Sequence, residues 1–191
     1  ILNELGSVSN DSDFEMFGPS PEKGSKLYIG NAEIFSKKIQ KLTLGWDYTN
    51  LPYDYENFEG FYKDYNYSIN NDSFKIKLEA LSDYSYRRNV EDELIYNLFN
   101  SEENKLMKSR IIENIDCDVL KLKPSYNLTE ENIDIYSNDL ESGYIKLELV
   151  NPVIGFGFNY YPKLLEKTIE NASKIKSKKD SNEQYSYPNE P

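Results

Sequence analysis

The chain has 191 residues, a length that suits one domain with a substantial core. Its 22 basic and 33 acidic residues give a net charge of −11, which argues against a binder of nucleic acid or anionic lipid, because such proteins present a basic surface. It has no histidine and one cysteine, Cys117. Ser–His–Asp and Cys–His catalysis, imidazole zinc sites and an internal disulfide are therefore excluded, and a thiolate metal site is implausible.

The sequence predicts neither a secretory signal nor a membrane span. Residues 1–13 lack a basic start and a long apolar run, and no run of about eighteen consecutive apolar residues occurs. The chain opens at Ile1 without a methionine and stops at Pro191 inside a run rich in tyrosine, proline and asparagine. We therefore expect a soluble domain cut from a longer protein.

The first elements are an extended segment and a short strand. Residues 1–25 are polar and are interrupted by glycine, serine and proline, which favours an extended segment over a helix. Residues 26–30 are apolar and end at a glycine, as a short strand before a turn does. Ile34 and Phe35 follow, and we expect both to be buried.

Residues 41–47 have the alternation of a half-buried strand, with Leu42, Leu44 and Trp46 on one face. An aromatic stripe comes next, at residues 58, 61, 62 and 65. This i, i+3, i+4, i+7 spacing predicts a short amphipathic helix, whose stripe more often faces the core than serves as a platform for a ligand.

The second half contains further strand patterns and one helix. Residues 74–80 and 144–150 alternate, 110–115 and 118–122 each predict a strand, and 94–99 are apolar. Residues 126–141 lack a pattern and predict a long loop. A helix with Pro162 in its first turn ends the ordered part, and its predicted apolar face consists of Leu164, Leu165, Thr168, Ile169, Ala172 and Ile175.

Together these elements predict a mainly β (α+β) fold, a β-sandwich-like domain with two short helices packed on one face or end. The expected organisation is an extended N-terminal segment over residues 1–25, a single β-rich domain over 26–176 and a C-terminal linker over 177–191.

Paired carboxylates are the remaining route to catalysis without histidine. Asp11 with Asp13, or Asp134 with Asp139, are candidates, but in a chain with 33 acidic residues such pairs are more typical of a solvated surface. Residues 132–141 offer oxygen ligands for calcium but lack the glycine and glutamate spacing of an EF-hand. We therefore expect no catalytic residue, no cofactor and no dedicated metal site.

A glycine-containing triplet lies between the last predicted strand and the last helix. Gly155 and Gly157 fit the start of a G-x-G-x-x-G phosphate loop, but Tyr160 stands where the third glycine belongs. Phe156 and Phe158 alternate with these positions. The pattern favours an aromatic turn that packs strand against helix.

Three segments share an order of glycine, proline and aromatic residues, namely 17–39, 42–52 and 143–164, and residues 188–191 also fit it. In this order they resemble an internal region of baseplate J-like proteins from Bacteroidetes contractile injection systems, phage-tail-like machines that include type VI secretion variants. The resemblance covers most of the chain and is loosest over residues 84–139. Its motif residues are structural: Gly18, Pro19, Gly24, Tyr28, Ile29, Gly30, Phe35, Trp46, Pro52, Gly155, Phe156, Gly157, Tyr161 and Pro162.

The resemblance implies a wedge component of a baseplate, which joins neighbouring subunits around a tail tube. Its implied partners are other baseplate or tail subunits, with no nucleic acid and no membrane insertion. Its implied location is the cytoplasm during assembly, and the cell exterior where the particle is released. Phe158 departs from the histidine that the resemblance leads us to expect. A functional role at that position would be lost here, whereas a packing role would tolerate the change.

Three hypotheses remain open: an assembly domain, a surface-binding module for carbohydrate or peptide, and an enzyme with a carboxylate pair. Tyrosine occurs in interface cores, although the 17 tyrosines also fit an AT-rich genome. An open shallow groove lined by tyrosine and tryptophan would favour sugar binding, a flat apolar patch would favour assembly, and a deep cleft with converging acids would favour the enzyme.

Overall fold

Antiparallel strands dominate the computed structural model, which describes residues 1–3, 5–9, 11–52, 57–86, 94–126, 128–129, 140–177 and 190. The predicted mainly β (α+β) class is confirmed. The described residues form strands β1 (Leu2–Asn3), β2 (Gly6–Ser7), β3 (Lys26–Gly30), β4 (Lys41–Asp47), β5 (Lys75–Ser82), β6 (Ser85–Tyr86), β7 (Leu94–Asn97), β8 (Ser101–Glu102), β9 (Lys105–Leu106), β10 (Ser109–Asp116) and β11 (Tyr144–Asn151), and helices α1 (Ala32–Phe35), α2 (Phe58–Phe61) and α3 (Tyr161–Ser177).

The main sheet has the strand order β2-β1-β3-β11-β5-β6, and β7 also pairs with β5. The middle strand β11 is antiparallel to both neighbours, with Leu147 opposite Leu27 on β3 and opposite Leu78 on β5. All three leucines are buried in the same hydrophobic cluster. The alternation predicted for residues 144–150 therefore places one face of this strand on the core.

The other face of the main sheet carries buried charges. Glu79 on β5 forms ion pairs with Lys77, at 3.3 Å, and with Lys146 on β11. Lys146 also lies 3.2 Å from a carboxylate oxygen of Glu148. Lys77, Glu79 and Lys146 are all buried. Because the charges alternate across neighbouring strands, each buried cation has a carboxylate partner.

A two-stranded antiparallel ribbon of β4 and β10 forms a second layer on the same core. Leu44 pairs with Ile112 and Leu42 with Ile115, and a register shift lies between these pairs. The exposure of β4 alternates as predicted, with Leu42, Leu44 and Trp46 half-buried. The ribbon and the main sheet share one hydrophobic cluster, which gives the sandwich-like layering.

The strand predicted over residues 118–122 is wrong. That segment forms turns after β10, where the Asp116 carboxylate accepts hydrogen bonds from the backbone N–H groups of Asp118 and Val119. Lys121 has a φ of 58°, which a strand does not allow. The aspartate side chain competes here with strand pairing by bonding the nearby backbone.

Two of the three helices in the described residues are single turns. Asn31 caps α1 by accepting from the N–H of Ile34, and this turn buries Phe35 but leaves Ile34 42% exposed, so the expectation for Ile34 is wrong. Helix α2 is shorter than its aromatic stripe predicts. The stripe is nevertheless core-facing, because Phe58, Tyr62 and Tyr65 are all buried.

The long helix α3 begins at Tyr161 with Pro162 in its first turn, as predicted. Leu164 packs against the core, whereas Ile169 is 52% exposed. The predicted apolar face of this helix is therefore only partly covered by the rest of the described chain. Most of the predicted loop 126–141 and of the predicted linker 177–191 lies outside the described residues.

The N-terminal segment belongs to the main sheet. Strand β1 pairs with β2 and with β3, where Leu2 lies opposite Tyr28. Further along, the backbone N–H of Gly24 donates to the carbonyl of Leu149. Residues 1–25 thus contribute two short strands and a loop to the domain. In the part of the chain that the structure describes, no helix is both long enough and apolar enough to cross a membrane.

Candidate functional site: an aromatic groove with an acidic rim

A groove of about 870 Å³ opens where the N-terminal segment meets the end of strand β4. Its volume lies in the upper part of the range for ligand pockets, about 300–1,000 Å³. Four parts of the chain line it: residues 11–19, residues 46–52, helix α2 with Tyr62, and the turn that contains Phe156 and Phe158. Pro21, Leu98 and Phe99 complete the lining.

The floor of the groove is a cluster of aromatic rings. The ring centroid of Phe58 lies 4.7 Å from that of Phe99, and the Phe74 centroid beneath them lies 4.8 Å from Phe58 and 4.7 Å from Phe156. These separations fall in the range for tilted and edge-to-face pairs. Phe58, Phe74 and Phe99 are buried, so the floor is preorganised by the core itself.

The polar atoms of the aromatic residues are already bonded within the domain. The indole N–H of Trp46 donates to the Tyr48 hydroxyl, which donates to the carbonyl of Leu98. The Tyr62 hydroxyl donates to the carbonyl of Phe156 at 2.9 Å. The groove thus presents ring surface, with these donors engaged internally.

The tyrosines of the groove, half-buried Tyr48 and buried Tyr62, stay protonated. Burial raises the pKa of Tyr48 well above its ordinary value, although the hydrogen bond from Trp46 acts in the opposite direction. Burial also raises the pKa of Tyr62, and the neighbouring Tyr65 adds to the effect. Because neither hydroxyl ionises near neutral pH, neither can act as a base there.

One wall of the groove is the loop over residues 11–19, which is fixed at two places. The Asn3 side chain donates to the carbonyl of Glu15 at 2.8 Å. Phe17 is buried in the core, and Gly18 follows it with a φ of 78°. Phe14 immediately precedes these anchors, lines the groove and is 36% exposed.

The rim is acidic. Asp11, Asp13 and Glu15 on the loop and Asp47 at the end of β4 line the groove and are exposed. Among the described residues that line it, none is a lysine or an arginine. The described chain also contains no cluster of three or more cysteine and acidic side chains that could hold a metal ion. The rim therefore carries a negative potential.

Of the two candidate carboxylate pairs, one lies within the described residues and the other lies outside them. Asp11 and Asp13 lie at the rim of the groove. Asp134, Asp139 and most of the calcium candidate segment 132–141 lie outside the described residues.

The motif residues fall into two groups. Gly18, Pro19, Trp46, Pro52 and Phe156 line the groove, although they come from three distant parts of the chain. The others support the sheet, the turns and the helices: Gly24, Tyr28, Ile29 and Gly30 in and before β3, Phe35 in α1, Gly155 and Gly157 in the turn, and Tyr161 and Pro162 at the start of α3.

The turn after β11 is an aromatic packing turn. The backbone N–H of Phe156 donates to the carbonyl of Pro21 at 3.2 Å. Gly155 lies so close to the same segment that a Cβ atom on it would stand 2.3 Å from that carbonyl oxygen. Phe156 stacks on Phe74 in consequence, and the turn carries one side of the groove onto the N-terminal segment.

Sequence reasoning missed the acidic rim as a feature. Asp11, Asp13 and Glu15 alternate along the chain beside Phe14, but alternation in a polar segment gives no sign of what faces it. Asp47 joins them only through the fold. The signal that the sequence does contain is Phe14, an aromatic residue inside an acidic stretch shortly before Phe17.

Comparison of the sequence with protein-family models and with curated proteins gave no match. The chemistry of the groove is therefore inferred from its own residues: a preformed aromatic floor, internally satisfied tyrosine and tryptophan side chains, and four exposed carboxylates at the rim.

Proposed function

We propose that this domain is a non-catalytic interaction module that joins subunits of a larger protein assembly through the aromatic groove. The observation that carries the proposal is the groove itself, a space of about 870 Å³ with an aromatic floor that the core holds in place. A concave site lined mainly by aromatic and apolar side chains with a few polar groups at its edge is the usual form of a binding site.

The chemistry of the groove supports binding over catalysis. Its tyrosine hydroxyls are engaged with carbonyls and remain protonated, so they supply neither a base nor a nucleophile. Its carboxylates are exposed at the rim, away from the buried floor. Aromatic residues at the centre with charged residues around them is the usual composition of a protein interface.

The setting of the proposal comes from the sequence resemblance. In a contractile-injection baseplate the domain would contact another baseplate or tail subunit, in the cytoplasm during assembly and outside the cell in a released particle. Five residues of the resembling motif, among them Trp46 and Phe156, line the groove. In this proposal those motif residues share the role of presenting the contact surface.

The alternative is a surface-binding module, and the exposed rim of the groove is the observation that favours it. The half-buried ring of Trp46 lies in the groove, and carboxylates at the rim can accept hydrogen bonds from sugar hydroxyl groups. Phenylalanine rings dominate the floor, however, and the tyrosine hydroxyls are engaged within the domain. This composition suits apolar protein side chains better than a sugar.

Affinity capture with a matched pair of variants tests the proposal. Phe14→Ser removes an aromatic ring from the rim, and Tyr126→Ser removes one from a position that is 78% exposed and does not line the groove. We expect the wild-type chain and Tyr126→Ser to capture sheath, tube or baseplate subunits from the producing cells, and Phe14→Ser to capture much less. Equal capture by both variants, or recovery of glycan alone, would contradict the proposal.

A further inference from the structure

We infer that the occupant of the groove is a cationic segment of the partner protein, with arginine or lysine side chains at the acidic rim and its apolar parts on the aromatic floor. The inference rests on the proposed function, because it takes the occupant to be a protein. It adds the chemical character of the segment that binds.

The charge of the groove favours a cationic occupant. Four carboxylates from two parts of the chain, residues 11–15 and Asp47, line one groove, and none of the described residues that line it is a lysine or an arginine. The whole chain carries a net charge of −11, which strengthens the negative potential at the groove. A cationic segment is attracted, whereas a nucleic acid or an acidic peptide is repelled.

The aromatic surface of the groove also favours a cation. A guanidinium or ammonium group over an aromatic face is attracted by the ring quadrupole. The domain already contains such pairs, because Lys146 lies 4.9 Å from the ring centroid of Tyr86 and Lys163 lies 5.9 Å from that of Tyr160. The rings of Trp46 and Phe14 at the groove offer the same contact to a cation from a partner.

The size of the groove favours a segment of chain over a small ion. A single small cation fills only part of about 870 Å³, whereas a segment of chain can place several side chains along the groove. Arginine suits both parts of the site, since its planar head pairs with carboxylates and stacks on aromatic rings. The segment is therefore expected to combine basic and apolar residues.

Tryptophan fluorescence provides a direct test, because Trp46 is the one tryptophan of the chain and lines the groove. The probe is a synthetic peptide of alternating arginine and valine, and its control is the same peptide with neutral citrulline in place of arginine. We expect the arginine peptide to change the Trp46 emission and to bind about tenfold more tightly than the control, a difference of about 1.4 kcal/mol. Added salt should weaken this binding.

Charge-neutralising variants complete the test. The double variant Asp13→Asn and Asp47→Asn should bind the arginine peptide about tenfold more weakly, since each removes a rim charge. The control, Glu102→Gln with Glu113→Gln, removes two exposed charges that do not line the groove and should bind within about twofold of the wild type.

Equal binding of the arginine and citrulline peptides, or unchanged binding by the double asparagine variant, would overturn the inference. If the capture experiment still yields partner subunits that depend on Phe14, the proposed function stands and only the cationic character of the segment fails. A response of Trp46 to neutral oligosaccharide but not to either peptide would overturn both.

Discussion

Replacement of Gly155 by alanine should unfold the domain more easily, because the added methyl group has no room. Gly155 has a φ of +56°, and its Cβ would lie 2.3 Å from the carbonyl oxygen of Pro21 and 2.7 Å from the Cα of Glu22. Both contacts are backbone atoms, so no side chain can rotate away. The N-terminal segment and the turn after β11 must therefore move apart.

The loss of stability in Gly155→Ala has two parts. A left-handed backbone costs a non-glycine residue roughly 1–2 kcal/mol, and overpacking a tight contact costs roughly 1–3 kcal/mol. We expect Gly155→Ala to lower the free energy of unfolding by about 3 kcal/mol, and to lower the Tm by roughly 6–12 °C for a chain of this size.

Urea unfolding followed by circular dichroism measures the effect, with Gly45→Ala as the matched control. A Cβ on Gly45 would meet its nearest atoms at 3.8 Å, an ordinary contact, in the middle of strand β4. The control should stay within about 0.5 kcal/mol of the wild type or be slightly more stable. Equal stability of the two variants would refute the packing role of the turn after β11.

Three further predictions concern individual contacts. Burial acts to raise the pKa of the Glu79 carboxyl, but its two lysine partners lower that pKa on balance. The stabilisation that these ion pairs give to the fold is present above the unfolded-state pKa of about 4.3. It is lost as the pH falls through the lowered pKa of the folded state. Glu79→Gln should therefore cost about 3 kcal/mol at pH 7, because it removes the buried carboxylate that pairs with two buried lysines, and its unfolding curves should depend less on pH in the acid range than those of the wild type. Tyr48→Phe removes the hydroxyl that donates to Leu98 and should cost about 1–3 kcal/mol in urea unfolding, with a changed Trp46 emission. Lys123→Ala breaks an exposed pair with Asp83 and should change stability by less than about 1 kcal/mol, and a larger loss in the same assay would contradict the low value assigned to exposed ion pairs.

Strand positions were predictable where apolar and polar residues alternate and one face of the strand packs on the core. Residues 41–47 and 144–150 alternate because each strand buries one row of apolar side chains, and the structure has β4 and β11 there. The alternation on β5 was also visible, but its polar row is buried as well, because Lys77 and Glu79 pair within the sheet. Sequence pattern cannot distinguish a solvated charge from a buried, paired one.

The segment after β10 shows how a local side chain overrides a pattern. Residues 118–122 are apolar enough for a strand, yet the Asp116 carboxylate bonds the following backbone and starts a turn. Helix α2 is a single turn although its aromatic stripe predicts a longer helix, and Phe58, Tyr62 and Tyr65 are buried through their packing on the core. Both outcomes depend on contacts that periodicity does not contain.

The groove could not be predicted from the sequence. Its lining joins Phe14, Trp46, Tyr62 and Phe156, which are separated by long stretches of chain and meet only when the N-terminal segment packs on the turn after β11. The resemblance selected some of these residues as a motif without indicating that they share a surface. The tyrosine hydroxyls gave no sequence signal of their internal partners.

Photocrosslinking from the groove tests its role as a protein contact surface most directly. A p-benzoylphenylalanine residue is introduced at position 14 in one sample and at position 126 in another, and the producing cells are irradiated after assembly. Our proposal predicts a covalent adduct with another subunit of the same assembly from Phe14→p-benzoylphenylalanine and none from the Tyr126 control. The absence of a protein adduct at position 14 would contradict it.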